Sequence, residues 1–238
     1  MNVLVIGDGH TYGYGLPGGK LSYIGHFIRQ IKRSGQAVSV EAYAFHSMMQ
    51  GLSTLKKLPL EQYDLIILQL DVAIIQPINP VRKHKDNQPL LPYLPEVGFK
   101  NERMPFVSRL KTSLGLLLTS VLPIRSRTYF GALLKQIRPY RHKVLLLTPF
   151  PNQHPLEQWL SQRSGNIMLS LAEKQLVSIF ETNSVIGASD EYFLPDDSKH
   201  LSAVSHELLG RSLFDFYESA PTIVTVQTVR RGDKWFDV

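Results

Sequence analysis

The chain of 238 residues contains no cysteine. That excludes a disulfide framework, a thiolate nucleophile and any cysteine-ligated zinc or iron–sulfur site. Long apolar runs are also missing. The longest, Leu114–Ile124, is broken by Gly115, Thr119, Ser120 and Pro123, and falls well short of the roughly 18 residues that a membrane helix needs. The start runs from Met1 directly into Val3-Leu4-Val5-Ile6-Gly7, without the basic stretch and small-residue cleavage site of a secretory leader. A cytoplasmic protein without a membrane partner is the expectation. Charge is modest at 19% of residues and apolar residues reach 43%, which excludes a chain too polar to bury a core.

The net charge of +6 is unevenly spread. Residues 77–142 carry 12 basic and 3 acidic side chains, and the remainder is slightly acidic. Such a segment either forms an ordinary solvated surface or attracts an anionic partner. No aromatic-interleaved basic motif of a nucleic-acid module is present. A small-molecule ligand, anionic in kind, is therefore expected in preference to nucleic acid.

Val3–Ile6, Val38–Val40, Leu65–Leu68 and Val144–Leu147 are short aliphatic runs of the kind that form strands covered on both faces. Asn183–Ile186 supplies a fifth. Helical spacing links Leu21, Ile24, Ile28 and Ile31. It also links Val107, Leu110, Leu114, Leu117 and Val121, then Phe130, Leu133, Leu134 and Ile137, and finally Leu201, Val204, Leu208 and Phe216. Alternation of strands and helices predicts a three-layer α/β/α sandwich around a five-stranded parallel sheet, flavodoxin-like in type. Residues 1–221 form this domain. Residues 77–105 hold six of the fifteen prolines and read as an irregular basic insertion. The tail, 222–238, alternates apolar and polar residues before Arg231-Gly232-Asp233. It reads as a β-hairpin or edge strand, available for pairing with a second copy in a homodimer.

Ligand sites in such sheets lie beyond the carboxyl ends of the strands. There the first strand runs into Gly7-Asp8-Gly9-His10-Thr11, and the last helix is preceded by Asp197-Ser198-Lys199-His200-Leu201-Ser202. In these blocks the sequence resembles the SGNH, or GDSL-like, hydrolase superfamily. Gly7 and Asp8 match the opening Gly-Asp, and Asp197 and His200 match the Asp-x-x-His before the final helix. Tyr63–Leu68 resembles the third-strand block and Val144–Pro149 the fourth.

The resemblance implies an ester hydrolase in which a serine attacks, a histidine takes its proton and an aspartate orients the imidazole. No cofactor or metal is implied. The nucleophile position, however, is Gly9. The third-strand block, usually continued as Gly-x-Asn-Asp, continues here as Asp71-Val72-Ala73-Ile74. Ala73 thus replaces the oxyanion asparagine, and Asp71 stands near the glycine donor. The second-block glycine falls near His46-Ser47.

Two readings follow. In one, the chain is a degenerate SGNH-like protein that keeps Asp197 and His200 and binds an anionic or acylated ligand. In the other, it is an ester hydrolase with an unidentified nucleophile, for which Thr11 and Ser47 are the available hydroxyls. Asp8, His10, His46, Asp71 and His200 form a conceivable ligand set, but none has a metal-site spacing. The bland roles are these: Asp8 bonds neighbouring loops, His10 packs at a helix entry, and His206 lies on the surface of the last helix.

Overall fold

The computed structural model describes residues 1–44, 48–75, 128–195 and 197–233. The 77–105 insertion, the 107–121 apolar stripe, His46 and Ser47 lie outside them. Five parallel strands form the central sheet: β1 (Asn2–Gly7), β2 (Ser39–Ala44), β3 (Leu65–Gln69), β4 (Val144–Leu147) and β5 (Ser178–Phe180). Their order is β2-β1-β3-β4-β5. Val3 pairs with Val40 on one side and Leu65 on the other, so β1 is interior.

The period of two decides which core each residue enters. Leu4, Ile6, Ile66, Leu68, Val144 and Leu146 point to one face. There they meet α3 (Met48–Lys57), α4 (Tyr129–Ile137) and α5 (Pro155–Gln175). Val3, Val5, Leu65, Ile67, Leu145 and Leu147 point to the other. That face is covered by α2 (Tyr23–Arg33) and α6 (Ala203–Asp233). A one-turn helix α1 (Gly9–Tyr12) follows β1. An antiparallel hairpin, β6 (Phe193–Leu194) with β7 (Asp197–Leu201), precedes α6.

Three expectations need correction. The fifth strand is Ser178–Phe180, whereas Thr182–Ser184 forms a single turn of 3₁₀ helix. Thr182 is fully buried, and its hydroxyl pairs with that of Thr148 at 3.1 Å. Its burial depends on this polar pairing, which an apolar pattern does not register. The buried stripe of α6 is Ser205, His206, Leu209 and Leu213, while Val204 and Leu208 are exposed. His206, expected on the surface, is fully buried and faces α2 with Gly210, which a pattern of large apolar residues does not register. The tail also departs from expectation. The helix continues across the 221/222 boundary to Asp233. Ile223, Val226 and Val229 are spaced by three, a spacing that fits a helix as readily as a strand.

The close contact between α2 and α6 explains that stripe. A Cβ on Gly210 would collide with the Cβ of His26 and stand 2.7 Å from the Tyr23 carbonyl oxygen. Beside it, the Tyr23 backbone N–H donates to His206 Nδ1 at 3.0 Å, and the two rings stack at 6.1 Å, 4° from parallel. Tyr23 is the first residue of α2, so its N–H has no partner within the helix. Ser22 Oγ accepts the Gly25 N–H at 3.2 Å. A side chain 183 residues away thus completes the start of the helix. It can do so only with Nδ1 deprotonated. Burial, with smaller contributions from His10, His26 and His200, pushes the His206 imidazole down to about 3.

Two predictions follow from this contact. The unfolded chain binds a proton at His206 below the ordinary histidine pKa, and the folded chain does not. Stability is therefore fully present above about pH 6.5 and falls by about 2 kcal/mol between pH 7 and pH 5 from this residue. Urea unfolding at the two pH values should show a smaller loss in His206→Gln, whose amide oxygen can still accept the Tyr23 N–H. Gly210→Ala should cost about 1–3 kcal/mol through overpacking, read as a lower urea midpoint at unchanged slope.

Candidate functional site

The site is assembled from the turn after β1 and the hairpin before α6. Asp8 caps α1: its Oδ1 accepts the His10 N–H at 2.9 Å. Its own N–H donates to Gln69 Oε1 at 3.0 Å, across to the end of β3. These two bonds fix the elbow and give Asp8 a structural task. A Cβ on Gly7 would collide with Thr11 Oγ1, so glycine is needed where Thr11 folds back over the strand end. Thr11 is fully buried, and its hydroxyl pairs with the Tyr23 hydroxyl at 3.0 Å. That hydroxyl is engaged in the core, which removes Thr11 as the substitute nucleophile.

Gly9 differs from Gly7. Its backbone is not left-handed, so no conformational demand calls for glycine. A Cβ there would stand 3.3 Å from the Cβ of Tyr14. The room is limited, and Tyr14 borders it.

On the hairpin, His200 Nδ1 is hydrogen-bonded to Asp197 Oδ2. The carboxylate can only accept, so the neutral imidazole carries its proton on Nδ1 and its lone pair on Nε2. That is the tautomer a general base requires. The His200 side chain is 12% exposed and that of Asp197 32%.

Rings surround the imidazole. Tyr14 lies 4.5 Å away between centroids and His10 lies 5.4 Å away. His10 also packs 5.2 Å from Phe150, in the loop after β4, and Phe150 lies 5.5 Å from Tyr23. Burial pushes the His10 imidazole below its ordinary pKa; Asp8 opposes this and His200 adds to it. His10 therefore stays neutral at physiological pH. Its Nδ1 has no hydrogen-bond partner among the described residues.

Among the expected site residues, Asp8, Gly9, His10, Asp197 and His200 come together, with Thr11 beneath them. Asp71 follows β3, and its Oδ1 accepts the Val72 N–H at 2.6 Å. Ala73 lies in the single 3₁₀ turn Val72–Ile75. Among the described residues, no group of three or more His, Asp or Glu side chains is placed to hold a metal ion.

Sequence reasoning passed over Tyr14, Gln69, Phe150 and Tyr23. Tyr14 had a readable signal, since it stands between Gly13 and Gly15 directly after a strand-end turn. Gln69 had another, as the one polar residue between Leu65 and Leu70. It is 2% exposed and borders a small apolar hollow of about 30 Å³. Ile6, Met48, Leu55, Leu68 and Leu133 also line it.

No protein-family model matches this chain, and no curated protein does. Solved structures do. A lipase from a goat rumen metagenome superposes with a TM-score of 0.59 at 16% identity, over 90% of this chain and 95% of the other. A catalytic mutant of an acetylxylan esterase from Geobacillus stearothermophilus gives 0.57 at 13% identity, over 90% and 92%. A protein from Desulfitobacterium hafniense assigned to the G-D-S-L family gives 0.54 at 14% identity, over 90% and 98%. At these identities the likeness is one of architecture: this chain has the α/β fold shared by the GDSL, or SGNH, lipases and acetylxylan esterases.

Proposed function

We propose that this protein binds an acylated or anionic small molecule and does not cleave it. The observation that carries this reading is Gly9. It occupies the elbow position where the fold's hydrolases present an attacking oxygen, and the adjoining room is bordered by Tyr14. Without a nucleophile, the Asp197–His200 pair has no proton to take from the enzyme. It remains a hydrogen-bonding group with its Nε2 lone pair available. Asp71 points the same way, because a carboxylate near a developing oxyanion would raise the barrier. The basic 77–142 segment suits an anion.

The retained bond between His200 Nδ1 and Asp197 Oδ2 favours a second reading. In it, His200 serves a working ester hydrolase whose nucleophile comes from elsewhere in the chain. A fluorophosphonate probe separates the two. The intact protein should remain unlabelled under conditions that saturate an activated serine. Labelling that disappears in His200→Ala would replace the binding reading with the hydrolytic one.

Gly9→Ser asks what else has been lost. A serine Cβ requires Tyr14 to yield by a few tenths of an ångström, and the backbone accepts it, so the variant should fold. Each missing oxyanion donor costs roughly 10²–10³ in turnover. p-Nitrophenyl acetate hydrolysis by Gly9→Ser should therefore stay at the parent's level. A gain dependent on His200 would show that only the nucleophile is gone.

A further inference from the structure

Tyr14 sits where it does because the chain is built to hold it there. Its N–H donates to the Gly9 carbonyl at 2.9 Å, tying it to the elbow. Gly13 and Gly15 flank it with φ of 75° and 80°, values that side chains other than glycine's rarely allow. The Gly13 N–H donates to the His10 carbonyl at 3.1 Å, and the Leu16 N–H to that of Gly13 at 3.1 Å. On the far side, a Cβ on Gly15 would stand 2.6 Å from Leu194 Cδ1, on the hairpin that carries His200. The strap is therefore pressed between the elbow and the hairpin. Its one large side chain lies against both the empty Gly9 position and the imidazole.

We propose that Tyr14 controls access to His200: its ring stands beside the vacated nucleophile position, covers the imidazole, and must turn aside before a ligand can bond to Nε2. The inference deepens the binding reading and rests on it for the identity of the process, but the covering itself is a matter of geometry. The two rings meet at 4.5 Å between centroids, tilted by 43°, so the proposal requires an aromatic ring at this position. The ligand that fits is one that offers a single hydrogen-bonding atom to Nε2 and an apolar or planar group to replace the tyrosine ring.

Diethylpyrocarbonate tests this without a known ligand, since it acylates the free nitrogen of a neutral imidazole. The rate at each of the eight histidines can be followed by peptide mass spectrometry, with exposed His142 as the internal reference. In the parent, His200 should react much more slowly than His142. Tyr14→Ala should raise the His200 rate relative to His142 by roughly three- to tenfold, the range set by losing one aromatic pair. Tyr14→Phe should leave the rate unchanged. Gly15→Ala should raise it without altering any aromatic ring, because a φ of 80° is strained for alanine and the strap must shift to relieve it. Circular dichroism establishes that each variant is folded.

The proposal is overturned if His200 in the parent already reacts like His142, or if neither Tyr14→Ala nor Gly15→Ala accelerates it. It is likewise overturned if Tyr14→Phe exposes His200 as fully as Tyr14→Ala. None of these outcomes bears on fluorophosphonate labelling, so failure here and failure of the binding reading are distinguishable.

Discussion

A parallel sheet covered on both faces has almost no place for a polar side chain except beyond the ends of its strands. In this protein, alternate residues of β1, β3 and β4 enter two separate apolar cores. Gln69, the last residue of β3, is the first position at which a buried side chain offers hydrogen-bonding groups. It uses them to hold the Asp8 N–H. The elbow is therefore placed by the sheet itself, and everything in the site is referred to that bond. Asp8 caps α1, α1 carries His10 and Thr11, and Gly13 turns the chain so that Tyr14 returns to the elbow. The hairpin brings Asp197 and His200 to the same place from the other end of the chain.

The departures from the SGNH sequence pattern are changes of side chain and leave the architecture standing. Gly9 keeps an ordinary backbone conformation, and the imidazole keeps its carboxylate. What differs is which groups face the space between them. The hydroxyl nearest in sequence, that of Thr11, is spent on Tyr23 inside the protein. Aromatic rings take the remaining room.

Much of this was legible in the sequence because the determining signals are local. Three of the five strands, β1, β3 and β4, are aliphatic runs whose positions can be read directly, and the two chemistry-bearing blocks sit beside a strand end and a helix start. β2, expected at Val38–Val40 and covered on both faces, is instead the edge strand Ser39–Ala44 with its first three residues exposed. Gly9 stands out in sequence because a motif makes its position meaningful. The rest depends on long-range contacts. The fifth strand was misplaced because Thr182 is buried through a hydroxyl pair with Thr148. The face of α6 was misjudged because its innermost residues are chosen for distant partners: His206 meets Tyr23 on α2, and Ser205 donates to the Tyr192 carbonyl beside the hairpin. Tyr14 was marked by its flanking glycines, but its contact with His200 comes from the other end of the chain and leaves no local trace.

The bond from Tyr23 to His206 also bears on how the molecule comes into being. Its partners are 183 residues apart, and the second core closes only when Leu209 and Leu213 arrive against Phe27 and Ile31. During synthesis, α2 therefore waits with an unsatisfied first amide and an uncovered apolar face until nearly the whole chain has emerged. Uncovered apolar surface of this kind favours aggregation of incomplete chains, and contacts between distant segments form slowly. Shortening the chain before α6 would strip away the layer that makes its beginning foldable.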